Sequence, residues 1–289
     1  MVISRFSIFF AGSNAINKLN MLVRYRIPKT ILWVANLFAI FLLIFTGFRL
    51  ATFLAFRPGG FSFSDAIPSF WMGFRYDLRW IAVILLPIVL LSSQPRFSPF
   101  YSIKNKKWWT WYLAIITFIV FFFFAAGFGS FSYNRTPLDA GAMNFAEDFS
   151  ISVKMIWQTY PLIWMLLGLV VAVLFFRWMY HRSHWQVINR TDGKGIPHRR
   201  KFFIVSSLFL IFLIYGSVSW PPLSRANSFR FNNSFKSYLA INPLQNFIAT
   251  LRLRKPDYNE KKAKEVFPVM ADWMQLPDQY IFFFGREMG

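Results

Sequence analysis

Cysteine is absent from all 289 residues. That excludes disulfides, thiolate metal sites, iron–sulfur clusters and cysteine nucleophiles together. Acidic residues are scarce: 12 Asp and Glu stand against 32 Lys and Arg, for a formal net charge of +20. Charged residues of both signs reach only 15%, where soluble domains carry about 25%. With 56% hydrophobic residues and 38 Phe, the chain has more apolar surface than one soluble core can absorb. A soluble enzyme is excluded, and so is extended disorder. A charge of +20 in a soluble chain would point to nucleic acid. In a chain this apolar, the charges are read first against lipid, and no nucleic-acid partner is expected.

A signal peptide is also missing. Residues 2–10 are interrupted by Ser4, Arg5 and Ser7, too broken for an apolar h-region. The long apolar runs come later. A bilayer span needs about 20 mostly apolar residues, and five windows qualify: 31–48, 68–91, 108–131, 156–179 and 202–220. The second is the weakest, because Arg75, Asp77 and Arg79 interrupt it. Basic residues crowd into 1–30, into Arg96 to Lys107, and into Arg177 to Lys201. The alternate loops hold only Arg49, Arg57, Arg135 and Lys154. The positive-inside rule therefore places the N-terminus in the cytoplasm and everything after Trp220 outside. Trp and Tyr gather at the window ends, as at Trp71, Trp108, Trp178 and Trp220, in the manner of interfacial belts.

The expected fold is an all-α membrane protein: five transmembrane helices with an outer amphipathic linker helix. Residues 1–30 form a cytoplasmic segment, 31–220 the transmembrane domain, and 221–289 an extracytoplasmic linker with the truncated start of an outer domain. Pro221-Pro222 ends the fifth span. In 234–253, Ile241, Leu244, Ile248 and Leu251 fall on one helical face, with Asn242, Gln245, Asn246 and Arg252 off it. That helix lies on the outer membrane surface or packs as a linker on a soluble body. Pro243 suits a helix start. Residues 254–265 read as a solvated connector.

Chemistry-bearing constellations are few. In the second window each charge at bilayer depth costs roughly 3 kcal/mol. Arg75 and Arg79 share a helical face and Asp77 points away from it, so Asp77 calls for a partner on another helix. The two arginines either snorkel within a structural ion-pair network or grip an anionic group such as a lipid phosphate. Asp139 and Glu147, with Asp148, Arg135, Asn134 and Asn144, occupy the outer loop between windows three and four, as a headgroup contact or a solvated loop. His181, His184 and His198 lie among Arg and Lys, which oppose a metal cation; that inner loop suits anionic lipid instead. Gly59-Gly60 and Gly193-Lys194-Gly195 fit no phosphate-loop fingerprint. No catalytic set and no metal site is expected within this chain.

Gly73-Phe74-Arg75-Tyr76-Asp77-Leu78-Arg79, Trp157-Gln158-Thr159-Tyr160-Pro161 and Leu239-Ala240-Ile241-Asn242-Pro243, in this order and placement, resemble the membrane half of lipoteichoic-acid-synthase-like proteins, bacterial members of the alkaline phosphatase/sulfatase superfamily. The resemblance covers roughly residues 30–275. It implies a bacterial cytoplasmic membrane, membrane lipids and an anionic phospholipid headgroup as partners, and an outer α/β domain. That domain would use a Thr nucleophile and a divalent metal (Mn, Mg or Zn). Such enzymes transfer phosphoglycerol or phosphoethanolamine from a phospholipid, or hydrolyse esters. This chain would be the membrane-anchoring, lipid-facing part, inactive alone. The alternative is a non-enzymatic polytopic protein, a transporter or flippase subunit or a scaffold, although no internal repeat favours transport.

Overall fold

A computed structural model describes residues 27–146, 162–189, 199–217, 222–231, 233–251 and 260–273, with Lys154, Trp157 and Gln158. Among these residues every regular element is helical. Helix α1 is Lys29–Phe56, α2 Phe63–Ser92, α3 Ile103–Asn134, α4 Leu162–Ile188, α5 Arg199–Tyr215, α6 Ser234–Ala240, α7 Pro243–Leu251 and α8 Glu260–Trp273.

Local chemistry explains the boundaries. Pro28 has no donor to lose, and its carbonyl accepts from Ile31 and Leu32 as α1 begins. Ser62 and Asp65 form a reciprocal capping box at the start of α2. Ser102 Oγ accepts from the Asn105 amide at the start of α3. The fifth helix ends at Tyr215, short of the expected 220, because Gly216 turns left-handed at φ 68°. Inside α2, Pro87 removes one backbone donor. Nearby, the Tyr112 hydroxyl of α3 donates to the Ile84 carbonyl at 2.9 Å.

Among the described residues three helices, α1, α3 and α4, are long and apolar enough to cross a membrane, with 28, 32 and 27 residues. At 1.5 Å per residue they measure about 40–48 Å. Helix α5 has 17 residues, and α2 carries Arg75, Asp77 and Arg79. By length and composition, neither α2 nor α5 joins these three as a candidate span.

Helix α2 is the hub: it packs against α1, α5 and α6, while α3 packs on α4 and α4 on α1. The Lys29 ammonium at the start of α1 donates to the Ile188 carbonyl at the end of α4, 3.2 Å away, so these two helices run antiparallel. The core is apolar and aromatic, with Trp33, Leu37, Phe41 and Phe45 of α1 facing Ile81, Leu85 and Ile88 of α2 and Leu113 of α3. Its lower end holds Trp33 edge-on to both Phe100 and His184, with Phe100 stacked on His184 at 4.5 Å. A second cluster at the other end joins Phe53, Ala66 and Phe131 to Phe235, Tyr238 and Leu239 of α6. The outside is apolar as well: on α4, Ile163, Leu167, Val170, Val171 and Leu174 are exposed. Contiguous apolar exterior on this scale belongs to lipid or a partner.

The segment expected as one amphipathic surface helix is two short helices, α6 and α7, broken at Ile241-Asn242. Pro243 opens α7, the position its fixed φ and missing donor favour. Two of the polar residues are not turned to water. Asn242 and Asn246 are buried along with Leu244, while Ile248 and Leu251 of the apolar stripe are exposed. Helix α8 belongs to a separate unit, Leu251–Gly289. It starts at Glu260, within the stretch expected as a connector, and leaves Val269, Met270 and Trp273 exposed.

Candidate functional site

Asp77 faces away from Arg75 and Arg79, as the helical spacing requires, and is 2% exposed. Its partner is Arg49 of α1, the residue directly after the 31–48 window. Arg49 Nη2 lies 2.8 Å from both carboxylate oxygens, and Nε donates to Oδ2 at 3.0 Å. Arg49 Nη1 donates to the Leu239 carbonyl and, at 3.2 Å, to that of Ala240. Asn242 Nδ2 donates to Asp77 Oδ1 at 3.0 Å. Asn242 Oδ1 in turn accepts from the Leu244 amide at 3.0 Å, capping the start of α7.

Gly73 makes this crossing possible. A Cβ there would occupy the volume of the Arg49 guanidinium. The node thus needs Gly73, Asp77, Leu239, Ala240 and Asn242 at once, residues drawn from two of the three motifs quoted above. Arg49 joins them. Sequence reading counted Arg49 only as a loop charge at the edge of the first span. The available signal was a lone Asp inside an apolar window with no partner on its own helix face, and an arginine directly after another apolar run.

The network continues beyond the carboxylate. The Asn246 side chain donates to the Leu138 carbonyl at 2.7 Å and accepts from Arg225 Nε at 2.6 Å. Thr250 Oγ1 accepts from the Ala140 amide at 2.8 Å. Tyr238 donates its hydroxyl to the Gly127 carbonyl at 3.0 Å and stacks on Phe131. Through these bonds α6 and α7 are held to α1, α2, α3 and the loop after α3. A buried ion pair of this kind contributes little net stability, because desolvation offsets Coulomb attraction. Its effect is to make one arrangement of the segments the satisfied one. Both Asp77 oxygens are engaged.

Arg75 and Arg79 do different work. Arg75 Nε and Nη2 donate to the Gly216 carbonyl at 3.2 and 2.7 Å. Arg79 Nε donates to Ile214 at 2.8 Å and Nη2 to Tyr215 at 3.0 Å. Between them, Tyr76 donates its hydroxyl to the Ser224 carbonyl at 2.6 Å. Two cations therefore sit on the carboxyl end of α5, where the orphan carbonyls and the helix dipole favour them.

The structure does not bring Asp139 to this site. Asp139 is exposed, and its Oδ1 accepts from the Gly141 amide at 2.9 Å in a local turn. Glu147 lies outside the described residues. Arg135 ends α3 in left-handed conformation at φ 56°. His184 Nε2 lies 3.1 Å from the Pro99 carbonyl in the aromatic cluster at the opposite end. No protein-family model, no curated protein and no solved structure matches this chain.

Proposed function

We propose that this chain is the membrane domain of a lipid-headgroup transferase or sulfatase-like enzyme of the lipoteichoic-acid-synthase-like kind. It anchors and presents an outer catalytic domain and is inactive alone. The observation that carries the reading is the Arg49–Asp77–Asn242 junction, which ties the extramembrane helices α6 and α7 to the body of the bundle. An enzyme that works on lipid headgroups needs its outer part held at a set height and orientation over the leaflet, and a rigid exit does that. The Thr nucleophile and the Mn, Mg or Zn ion belong to that outer domain.

Five spans in a bacterial cytoplasmic membrane, with the N-terminus inside, complete the proposal. Asp77 has its partner on α1, and Arg75 and Arg79 have theirs at the end of α5, which lowers the cost of placing this part of α2 in lipid. A 17-residue α5 covers about 26 Å, near a thin bilayer core. The alternative, a non-enzymatic scaffold, draws on one observation: Asp77 and Arg49 are enclosed and spend all their bonding on architecture.

The coding sequence following Gly289 tests the reading. A metal-binding α/β domain encoded there, in the same or a shifted frame, supports the transferase. Neither frame encoding one removes it and leaves the scaffold. Reporter fusions after Asn105, Ile188 and Leu251 test the topology; periplasmic activity at Leu251 alone is expected.

A further inference from the structure

Arg75 and Arg79 lie one turn apart on α2, each half-buried. Each turns Nε and Nη2 toward the end of α5. Nη1 of each guanidinium makes no hydrogen bond among the described residues. The two are close enough to repel each other. The carboxyl end of α5 supplies only about half a negative charge against two positive ones. The ion pair found among the described residues, Arg49–Asp77, is complete without them. Among the described residues, more than one positive charge therefore stays uncompensated beside an apolar exterior.

The setting is a membrane interface. Trp71 is one turn before Arg75, about 6 Å along the axis, and it is 62% exposed and stacked on Phe74. An exposed Trp at this position marks the headgroup layer. On α5, Leu208 and Phe212 are exposed and apolar, a surface suited to acyl chains. Guanidinium edges match phosphate oxygens in geometry and charge better than any ammonium.

We propose that the free edges of Arg75 and Arg79 bind a phosphate group. Its source is either a phospholipid headgroup of the leaflet on the α6–α7 side or free phosphate. One face of each arginine caps α5 and the other takes the anion, so ligand binding and the end of α5 are coupled. The inference rests on the membrane-domain reading and names the ligand chemistry of that domain.

The test uses the full chain in non-ionic detergent. Phenylglyoxal modifies accessible guanidinium groups, and peptide mass spectrometry reads Arg75 and Arg79 separately from the exposed Arg135. Short-chain phosphatidylglycerol, inorganic phosphate and laurate are the probes. Phosphatidylglycerol is expected to slow modification of Arg75 and Arg79 about tenfold, with Arg135 unchanged. Protection at lower concentration by the lipid than by phosphate assigns a lipid source; the reverse order assigns free phosphate. No protection by either, or equal protection by laurate, overturns the site. As a second variant, Arg75→Lys/Arg79→Lys keeps the cations that cap α5 and loses the planar fork. It is expected to bind phosphatidylglycerol about tenfold more weakly while still melting cooperatively. Unweakened binding in that folded variant also overturns the site. If the variant does not fold, the wild-type protection result decides. A missing outer domain would remove the proposed enzyme and leave this result standing, whereas failed protection removes the phosphate site alone.

Discussion

Arg49 reaches Asp77 across the one position of α2 that has no side chain, Gly73. The guanidinium lies where any Cβ at residue 73 would project. The ion pair, the two α6 carbonyls and Asn242 all depend on that vacancy.

Gly73→Ala is therefore expected to expel the guanidinium and leave Asp77 buried without its main partner. Removing one member of a buried pair costs about 3–5 kcal/mol, and a loss near the lower figure is expected, since Arg49 retains some reach. Unfolding by dodecyl sulfate titration in mixed micelles measures it. A stability within about 0.5 kcal/mol of wild type would show that the crossing has slack.

Asp77→Ala leaves Arg49 unpaired in the interior and is expected to destabilise by about 3–5 kcal/mol. The double change Arg49→Met/Asp77→Leu removes both charges and restores apolar volume. It is expected to recover most of the loss, because no ion is then left desolvated. It also frees α6 from its two bonds to Arg49, so faster proteolysis between Phe231 and Leu251 is expected in the double variant. Recovery of stability without added cleavage would refute the role of the node in holding the outer segment.

Gly216 adopts φ 68°, and a Cβ there would meet Leu223 Cβ at 3.1 Å. Gly216→Ala is expected to cost about 1–2 kcal/mol from the left-handed backbone alone. The Arg75 bond to the Gly216 carbonyl should lengthen with it. Slower hydrogen exchange in the last turn of α5 than in the wild type would contradict this.

At the start of α2, the Ser62 hydroxyl and amide donate to the Asp65 carboxylate at 2.8 and 3.2 Å. They hold its pKa below the ordinary value of 3.8. Because the folded value is the lower one, the unfolded chain takes up the proton first. The contribution is present above about pH 4 and is lost as pH falls through the folded pKa. Wild type should lose stability from pH 5 to pH 3 more steeply than Asp65→Asn, followed by melting in non-ionic detergent. Parallel pH profiles would remove the cap from the account.

Much of the helical plan was legible along the chain. The apolar runs around Phe41, Val120 and Leu174 are long enough that helices must bury their own backbone bonds in lipid, whatever they pack against. Asp77's need for an off-helix partner also follows from spacing, since residues two apart on a helix face different ways. The identity of that partner did not follow, because Arg49 is 28 residues away and only packing of α1 on α2 aligns the two. The same holds for the burial of Asn242 and Asn246. Periodicity sorted them to the polar side of a surface helix, but the buried Asp77 carboxylate and the Leu138 carbonyl needed donors there. Composition and periodicity determined that the chain is helical and apolar, with its charges sparse and placed. Which charges neutralise one another, and which carbonyls Arg75 and Arg79 bond, was decided only when α2 met α1 on one side and α5 on the other. Hydrogen-bond satisfaction in a low-dielectric interior depends on neighbours distant in sequence.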